Sequence, residues 1–228
     1  MAFGFKLEVW GDFALFTRPE MSVERVTYDV PTPSAARGIV ESIYWHPGMR
    51  IVIDKIHVLN PIKFTSVRRN EVKSKATASD MRKAMTDSLK NNKVVLPGIN
   101  AKDDIVQRAS LILMDVWYVI EFHFEMTSKA SDSDNPAKFA EIFRRRISRG
   151  QFYSQPYFGC REFPANFRAW PEGKSIAGYY SDRDPKDRNL GFMLYDMDYS
   201  NPQDIVPMFF RAHMVGGTID VAGSEAYR

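Results

Sequence analysis

One cysteine, Cys160, stands in 228 residues, so neither an internal disulfide nor a cysteine-clustered zinc site can form. No run of eighteen apolar residues occurs, which excludes a membrane-spanning helix and points to a cytoplasmic protein with no membrane partner. Histidine is scarce too: the four, His46, His57, His123 and His213, show no short metal-ligand spacing, so no metal and no cofactor is expected. The phosphate loop GxxxxGK(S/T), the dinucleotide signature GxGxxG and the hydrolase signatures HExxH and GxSxG are all missing. Neither sign of charge prevails. A formal net charge of +3 rules out a histone-like polycation. Internal repeats and low-complexity tracts are absent, and with them solenoids and disordered arrays.

What is present is a chain rich in core-forming residues, 44% hydrophobic and 13% aromatic, enough for one large domain or one domain with a sizeable insertion. The apolar N-terminus MAFGFKLEVWGDFALF carries Lys6, Glu8 and Asp12 within it, which predicts a strand rather than a signal peptide. The charge that exists is unevenly placed. Arg68 and Arg69, the lysines from 73 to 93 and the arginines from 144 to 161 are basic clusters, whereas acid gathers at 132–134 and 182–204. Such clusters in a near-neutral chain suggest a phosphate-bearing partner contacted at defined places.

Taken in order, Phe5–Trp10 alternates as a strand that Gly11-Asp12 should break. A helix is predicted from Ser34, as cap, to Trp45, ending at His46 because Pro47 disfavours helical geometry before it. Ile51–Phe64 reads as one or two strands interrupted at Asn60-Pro61. Residues 68–103 are polar and basic, with a short helix possible over Ala78–Leu89 that lacks the apolar stripe of a core element. They read either as an inserted arm or as a disordered loop. Gln107–Met126 is the most strand-like tract, and its length calls for a bend or bulge. Asn135, Pro136 and Gly150 cap, start and stop a helix whose Phe139, Ile142, Phe143 and Ile147 form one buried stripe. Met193–Tyr199 and Pro207–Ala212 are further strands, and Gly216-Gly217 turns into Thr218–Val221. The order β-α-β, arm, β-α-β, then extra strands predicts an α+β protein: a ferredoxin-like, RNA-recognition-like domain over 1–170 with an inserted basic arm at 68–103, and a small C-terminal antiparallel sheet over 171–228.

Chemistry without metal remains open to such a chain. RNA breaks when its 2′-hydroxyl attacks the adjacent phosphate, if one group takes a proton, another supplies one and a cation steadies the phosphorane. Tyr44 and His46 sit at a helix end in IYWHPG, and Lys138 lies in the first turn of the later helix, where it opposes the helix dipole. Spacing alone does not pair Tyr44 with Lys138. Cys160 beside Arg161 reads as a packing cysteine, because no histidine lies near it in sequence.

The segments EVWGDFALFTRPE, VPTPSAARGIVESIYWHP, IDKIHVLNPIKFTSVRRNEV and FRRRISRGQFYSQPYFGCREF resemble the CRISPR-associated RAMP proteins of the Cas-five family, subtype I-C, over nearly the whole chain. The resemblance implies a ferredoxin-like RAMP domain with a small C-terminal sheet. It also implies a metal-independent endoribonuclease that cuts the repeat hairpin of precursor CRISPR RNA. Such a protein stays on the 5′ handle within the Cascade interference complex, beside its backbone and large subunits, and meets target DNA through that complex. The family's active-site tyrosine and lysine fall on Tyr44 and Lys138, and its histidine position is Phe139, which cannot transfer a proton. His46 is the candidate substitute. Arg68, Arg69, Lys73 and Lys75 of the thumb-like arm are expected near phosphate, with Arg145, Arg149 and Arg161 as a second set and Tyr157 or Phe158 for base stacking. Phe139 keeps a second reading alive, a guide-capping subunit that binds without cutting. The basic arm and the RRRISR helix argue against a generic interaction domain unrelated to nucleic acid.

Overall fold

A computed structural model describes residues 4–21, 23–75, 77–94, 100–183 and 187–228; residues 1–3 of the apolar N-terminus and residues 76 and 95–99 of the arm lie outside them. In chain order the elements are β1 (Phe5–Ala14), β2 (Arg25–Val26), α1 (Pro33–Ile43), β3 (Met49–Val58), β4 (Phe64–Val72), α2 (Ala78–Asn91), β5 (Ile105–Met126), α3 (Pro136–Ser148), β6 (Asn166–Ala169), α4 (Tyr179–Asp182), β7 (Arg188–Asp198), β8 (Val206–Met214), β9 (Thr218–Asp220) and β10 (Ala226–Tyr227). The chain forms two compact units, residues 66–110 and the remainder.

In the larger unit the strands of the main sheet lie in the order β6-β1-β5-β3-β9, and their pairings are antiparallel. Leu7 and Val9 of β1, Ile51 and Ile53 of β3, and Phe122 and Phe124 of β5 join Ile39, Val40 and Ile43 of α1 and Phe139, Phe143 and Ile147 of α3 in one buried cluster. Stacked and edge-on rings tie the helix to the sheet: Phe143 lies 5.5 Å from Phe5 and 5.6 Å from Phe122 between centroids. A second, three-stranded sheet of β10-β8-β7 packs its Met193, Phe210, Ala212 and Met214 into the same core. Arg37 of α1 clamps it by an ion pair to Asp196 at 2.7 Å. The molecule is thus mixed α and β, with antiparallel sheets and a second small sheet.

Several expected boundaries move, each for a tertiary reason. β1 runs through Gly11-Asp12 to Ala14, because Gly11 pairs with Val116 and its missing side chain leaves room for the ring of Phe158 and the carbonyl of Pro164. Phe158, offered above for base stacking, is fully buried there and cannot serve. α1 is capped by Thr32, whose Oγ1 accepts from the Ala35 amide at 3.1 Å, with Pro33 at the first helical position, so Ser34 is not the cap. The same helix stops at Ile43, three residues before the expected end, because Tyr44 turns extended to bury its ring. β5 is assigned as one strand, and the expected bend falls at Asp115, whose φ of 55° is held by Asn60 donating to its carbonyl and carboxylate. A bulge at Asp54 of β3 completes the accommodation, since Ile53 and Lys55 pair with the adjacent Phe122 and Glu121. β9 pairs with β3 in the main sheet rather than with the C-terminal one.

In the smaller unit, Thr77 caps α2 reciprocally with Asp80 and Asn92 closes it in the left-handed region. In keeping with a helix that lacks the apolar stripe of a core element, α2 buries only Ala84, and Met81, Met85 and Leu89, which recur four apart, are all exposed.

Candidate active site

Two helix ends of the larger unit meet at Tyr44. The first is the C-terminal end of α1. There the backbone of Tyr44 is extended (φ −155°, ψ 127°), and its ring packs edge-on to Phe143 at 5.2 Å and to Phe139 at 6.2 Å. Arg146 of α3 holds it from the other side, with the guanidinium 5.0 Å from the ring centroid and Nη1 donating to the Ile43 carbonyl at 2.7 Å. Burial pushes the phenol above its ordinary value and the Asp134 carboxylate pushes the same way, against Arg146 and Lys138. Tyr44 is therefore a neutral hydroxyl at physiological pH.

The second is the N-terminal end of α3. Asn135 caps it by accepting from the Lys138 amide at 2.9 Å, and Pro136 starts it. The Lys138 ammonium donates to Asp134 Oδ1 at 3.0 Å. Asp134 also accepts from the Ser131 amide and hydroxyl, at 3.0 and 2.8 Å, and its carboxyl is held down to about 2 by Lys138 first and Ser131 next. The carboxylate four residues earlier thus supplies Lys138 with the local partner that the helix dipole denies it.

His46 closes the group. Its ring lies 5.0 Å from that of Phe139, and its Nδ1 accepts from the Gly48 amide at 3.0 Å. That bond assigns the proton of the neutral imidazole to Nε2. Asp134 Oδ2 stands 3.9 Å from the same Nδ1, beyond hydrogen-bond reach. Fully buried Phe139, in the position where the family resemblance expects histidine, is the wedge between Tyr44 and His46.

The other expected residues separate into groups. Arg145 and Arg149 are exposed on the face of α3 away from its buried stripe, and Arg161 is exposed in the turn after Gly159. Tyr157 lines a cleft with Thr32, Ser34 and Gly38, toward the opposite end of α1 from Tyr44, a helix about 16 Å long. Arg68, Arg69, Lys73 and Lys75 belong to the smaller unit, with Arg68, Lys73 and Lys75 exposed. Sequence reasoning missed Asp134 and Arg146 as neighbours of Tyr44 and Lys138. Only Asp134 left a signal, its spacing of four from Lys138. Among the described residues no three of histidine, cysteine, aspartate or glutamate converge as a metal site requires, and no helix is long and apolar enough to cross a membrane.

A sequence model of the Cas5d family, described as CRISPR-associated protein (Cas_Cas5), matches residues 4–222. A protein of Mannheimia succiniciproducens named CRISPR pre-crRNA endoribonuclease Cas5d is 47% identical over 221 residues, covering 97% of this chain and 96% of that one. One of the same name from Thermus thermophilus is 34% identical over 243 residues, covering 98% and 94%. A solved structure described as a CRISPR-associated protein superposes with a TM-score of 0.67 at 24% identity, covering 96% of this chain and 91% of the other, a likeness of fold.

Proposed function

The chain belongs to the Cas5d family of CRISPR-associated proteins, and we propose that it is an endoribonuclease that cuts precursor CRISPR RNA at the repeat hairpin without a metal ion. It then stays on the 5′ handle as a subunit of the cytoplasmic Cascade complex, beside the backbone and large subunits, and meets target DNA through that assembly. The names of the two curated relatives support the RNA-cleaving activity. The strand order β6-β1-β5-β3, with α1 and α3 packed in one core, supports reading the domain as ferredoxin-like.

One observation carries the mechanism: Tyr44, Lys138 and His46, from two distant segments, surround the Asp134–Phe139 turn. Lys138 presents a cation to the phosphorane, where charge develops. Neutral Tyr44 donates its O–H to a phosphate oxygen. His46, carrying its proton on Nε2, gives it to the 5′ oxygen as the P–O5′ bond breaks, while the 2′-hydroxyl attacks phosphorus and passes its own proton to solvent; solvent then returns a proton to Nε2. Arg146 positions the tyrosine. Arg145, Arg149, Arg161 and Tyr157 serve the RNA on this unit, and Arg68, Arg69, Lys73 and Lys75 of the arm hold the guide backbone.

A second reading is favoured by Phe139, which removes the proton-carrying group the family places there: a subunit that caps the handle without cutting. Cleavage of a labelled repeat hairpin with EDTA present separates the two. Specific cutting by wild type, lost in Tyr44→Phe and Lys138→Ala while binding persists, establishes the metal-free nuclease. Tight binding with no cutting by wild type establishes the cap.

A further inference from the structure

The helix end that buries Tyr44 also throws its neighbour outward. In extended chain successive side chains point to opposite sides, so with Tyr44 turned into the core, Trp45 is left 57% exposed and His46 turns back toward Phe139. A second exposed ring belongs to a loop tied to the same end of α1. After α3 the chain reverses at Gly150 (φ 62°), and the Gln151 amide bonds the Arg146 carbonyl at 2.9 Å. The amides of Tyr153 and Ser154 both donate to the carbonyl of Ser42, two residues before Tyr44, at 2.9 and 3.1 Å. Phe152 anchors the loop edge-on to Phe167 at 6.3 Å. The backbone of Tyr153 is therefore fixed, yet its ring is 87% exposed. Two large aromatic side chains thus stand exposed near the end of α1 that carries the candidate catalytic tyrosine, with Lys138 exposed in the first turn of α3 and Arg149 exposed at its C-cap.

Fixed, solvent-facing aromatics interleaved with cations are what unpaired nucleotides stack upon, since every base has a π-face and the phosphates seek the cations. We infer that Trp45 and Tyr153 form a clamp that stacks on bases flanking the phosphate presented to Tyr44, so that the RNA is held single-stranded at the cut. The inference rests on the nuclease reading above and adds its substrate geometry: in-line attack by the 2′-hydroxyl needs a splayed backbone, and the clamp holds the nucleotide splayed. Because the rings are already placed, little ordering is lost on binding. Both side chains are exposed, so their removal leaves the fold intact.

The test uses the full-length protein and a repeat hairpin blocked by a 2′-deoxy nucleotide at the cut mapped with wild type. Binding is followed by tryptophan fluorescence and by titration, and single-turnover cleavage by the all-ribose hairpin. Trp45→Ala and Tyr153→Ala should each weaken binding about tenfold or more. Trp45→Phe should retain affinity but lose the fluorescence quenching. An abasic nucleotide beside the cut should reproduce the Trp45→Ala loss, and combining the two should cost no more than either alone. Unchanged binding and cleavage in both alanine variants overturns the clamp and leaves Trp45 as a contact for another protein. Losses that add fully at every abasic position overturn it as well. If wild type does not cut, the nuclease reading fails on its own. The clamp is then judged by an abasic scan of the unmodified hairpin, where additive losses throughout sink it and one non-additive position upholds it.

Discussion

The ring of Phe139 stands 5.0 Å from that of His46 and 6.2 Å from that of Tyr44, an apolar spacer between two groups able to move protons. Removing His46 tests whether it replaces the missing family histidine. His46→Ala should lower single-turnover cleavage about 10²-fold or more, with hairpin binding kept within a few fold. Cleavage at the wild-type rate would end that assignment.

Phe139 is also a structural keystone, fully buried against Phe124, Tyr44 and His46. Phe139→Ala should cost about 3–5 kcal/mol in denaturant unfolding. A loss under 1 kcal/mol would mean that the turn does not depend on this packing.

Asp134 links the Lys138 ammonium to the Ser131 turn, and its carboxyl titrates at about 2. A folded-state value below the ordinary carboxylate value makes the contribution present above about pH 4 and lost as pH falls toward 2. The stability gap between wild type and Asp134→Asn should therefore be flat from neutral pH down to about 4 and close below it. Pooled denaturation curves across that range decide it, and a gap that widens in acid would refute the pairing.

Two glycines with nearly the same positive φ should respond unequally. Gly159 has φ 76°, and a methyl there would lie 2.0 Å from the Leu15 carbonyl oxygen, whereas Gly191 has φ 77° and open space around it. Gly191→Ala should cost only the left-handed penalty, about 1–2 kcal/mol, and Gly159→Ala clearly more, because backbone must move. Equal losses in thermal unfolding would contradict the close approach.

What the sequence made legible is what its neighbours decide. α3 is announced by Asn135, Pro136, Gly150 and a stripe at helical spacing, and it forms as expected over Pro136–Ser148. The end of α1 is not legible, because it is set by burial of Tyr44 against Phe139 and Phe143, about a hundred residues away. The same distance hid the approach of Lys138 to Tyr44 and of the Tyr153 amide to the Ser42 carbonyl. Glycine and aspartate at 11 and 12 read locally as a break, yet the partner strand overrides them through Val116 and Met114. His46 was named for closeness in sequence, and the Gly48 bond adds the tautomer, which no spacing could supply.

The pairing of Ile56 in β3 with Ile219 in β9 sets a timetable for synthesis. The two partners lie 163 positions apart, so at roughly 5–20 residues per second the outer edge of β3 waits about 10–30 s for its cover after it is made. During that interval its unpaired amides and carbonyls are open to any other extended chain, including a second nascent copy. The turn at Gly216-Gly217 and the short strand after it cover Lys55–His57 of that edge. Truncations or frameshifts near the C-terminus should therefore be read first for aggregation, and only afterwards for loss of RNA cleavage.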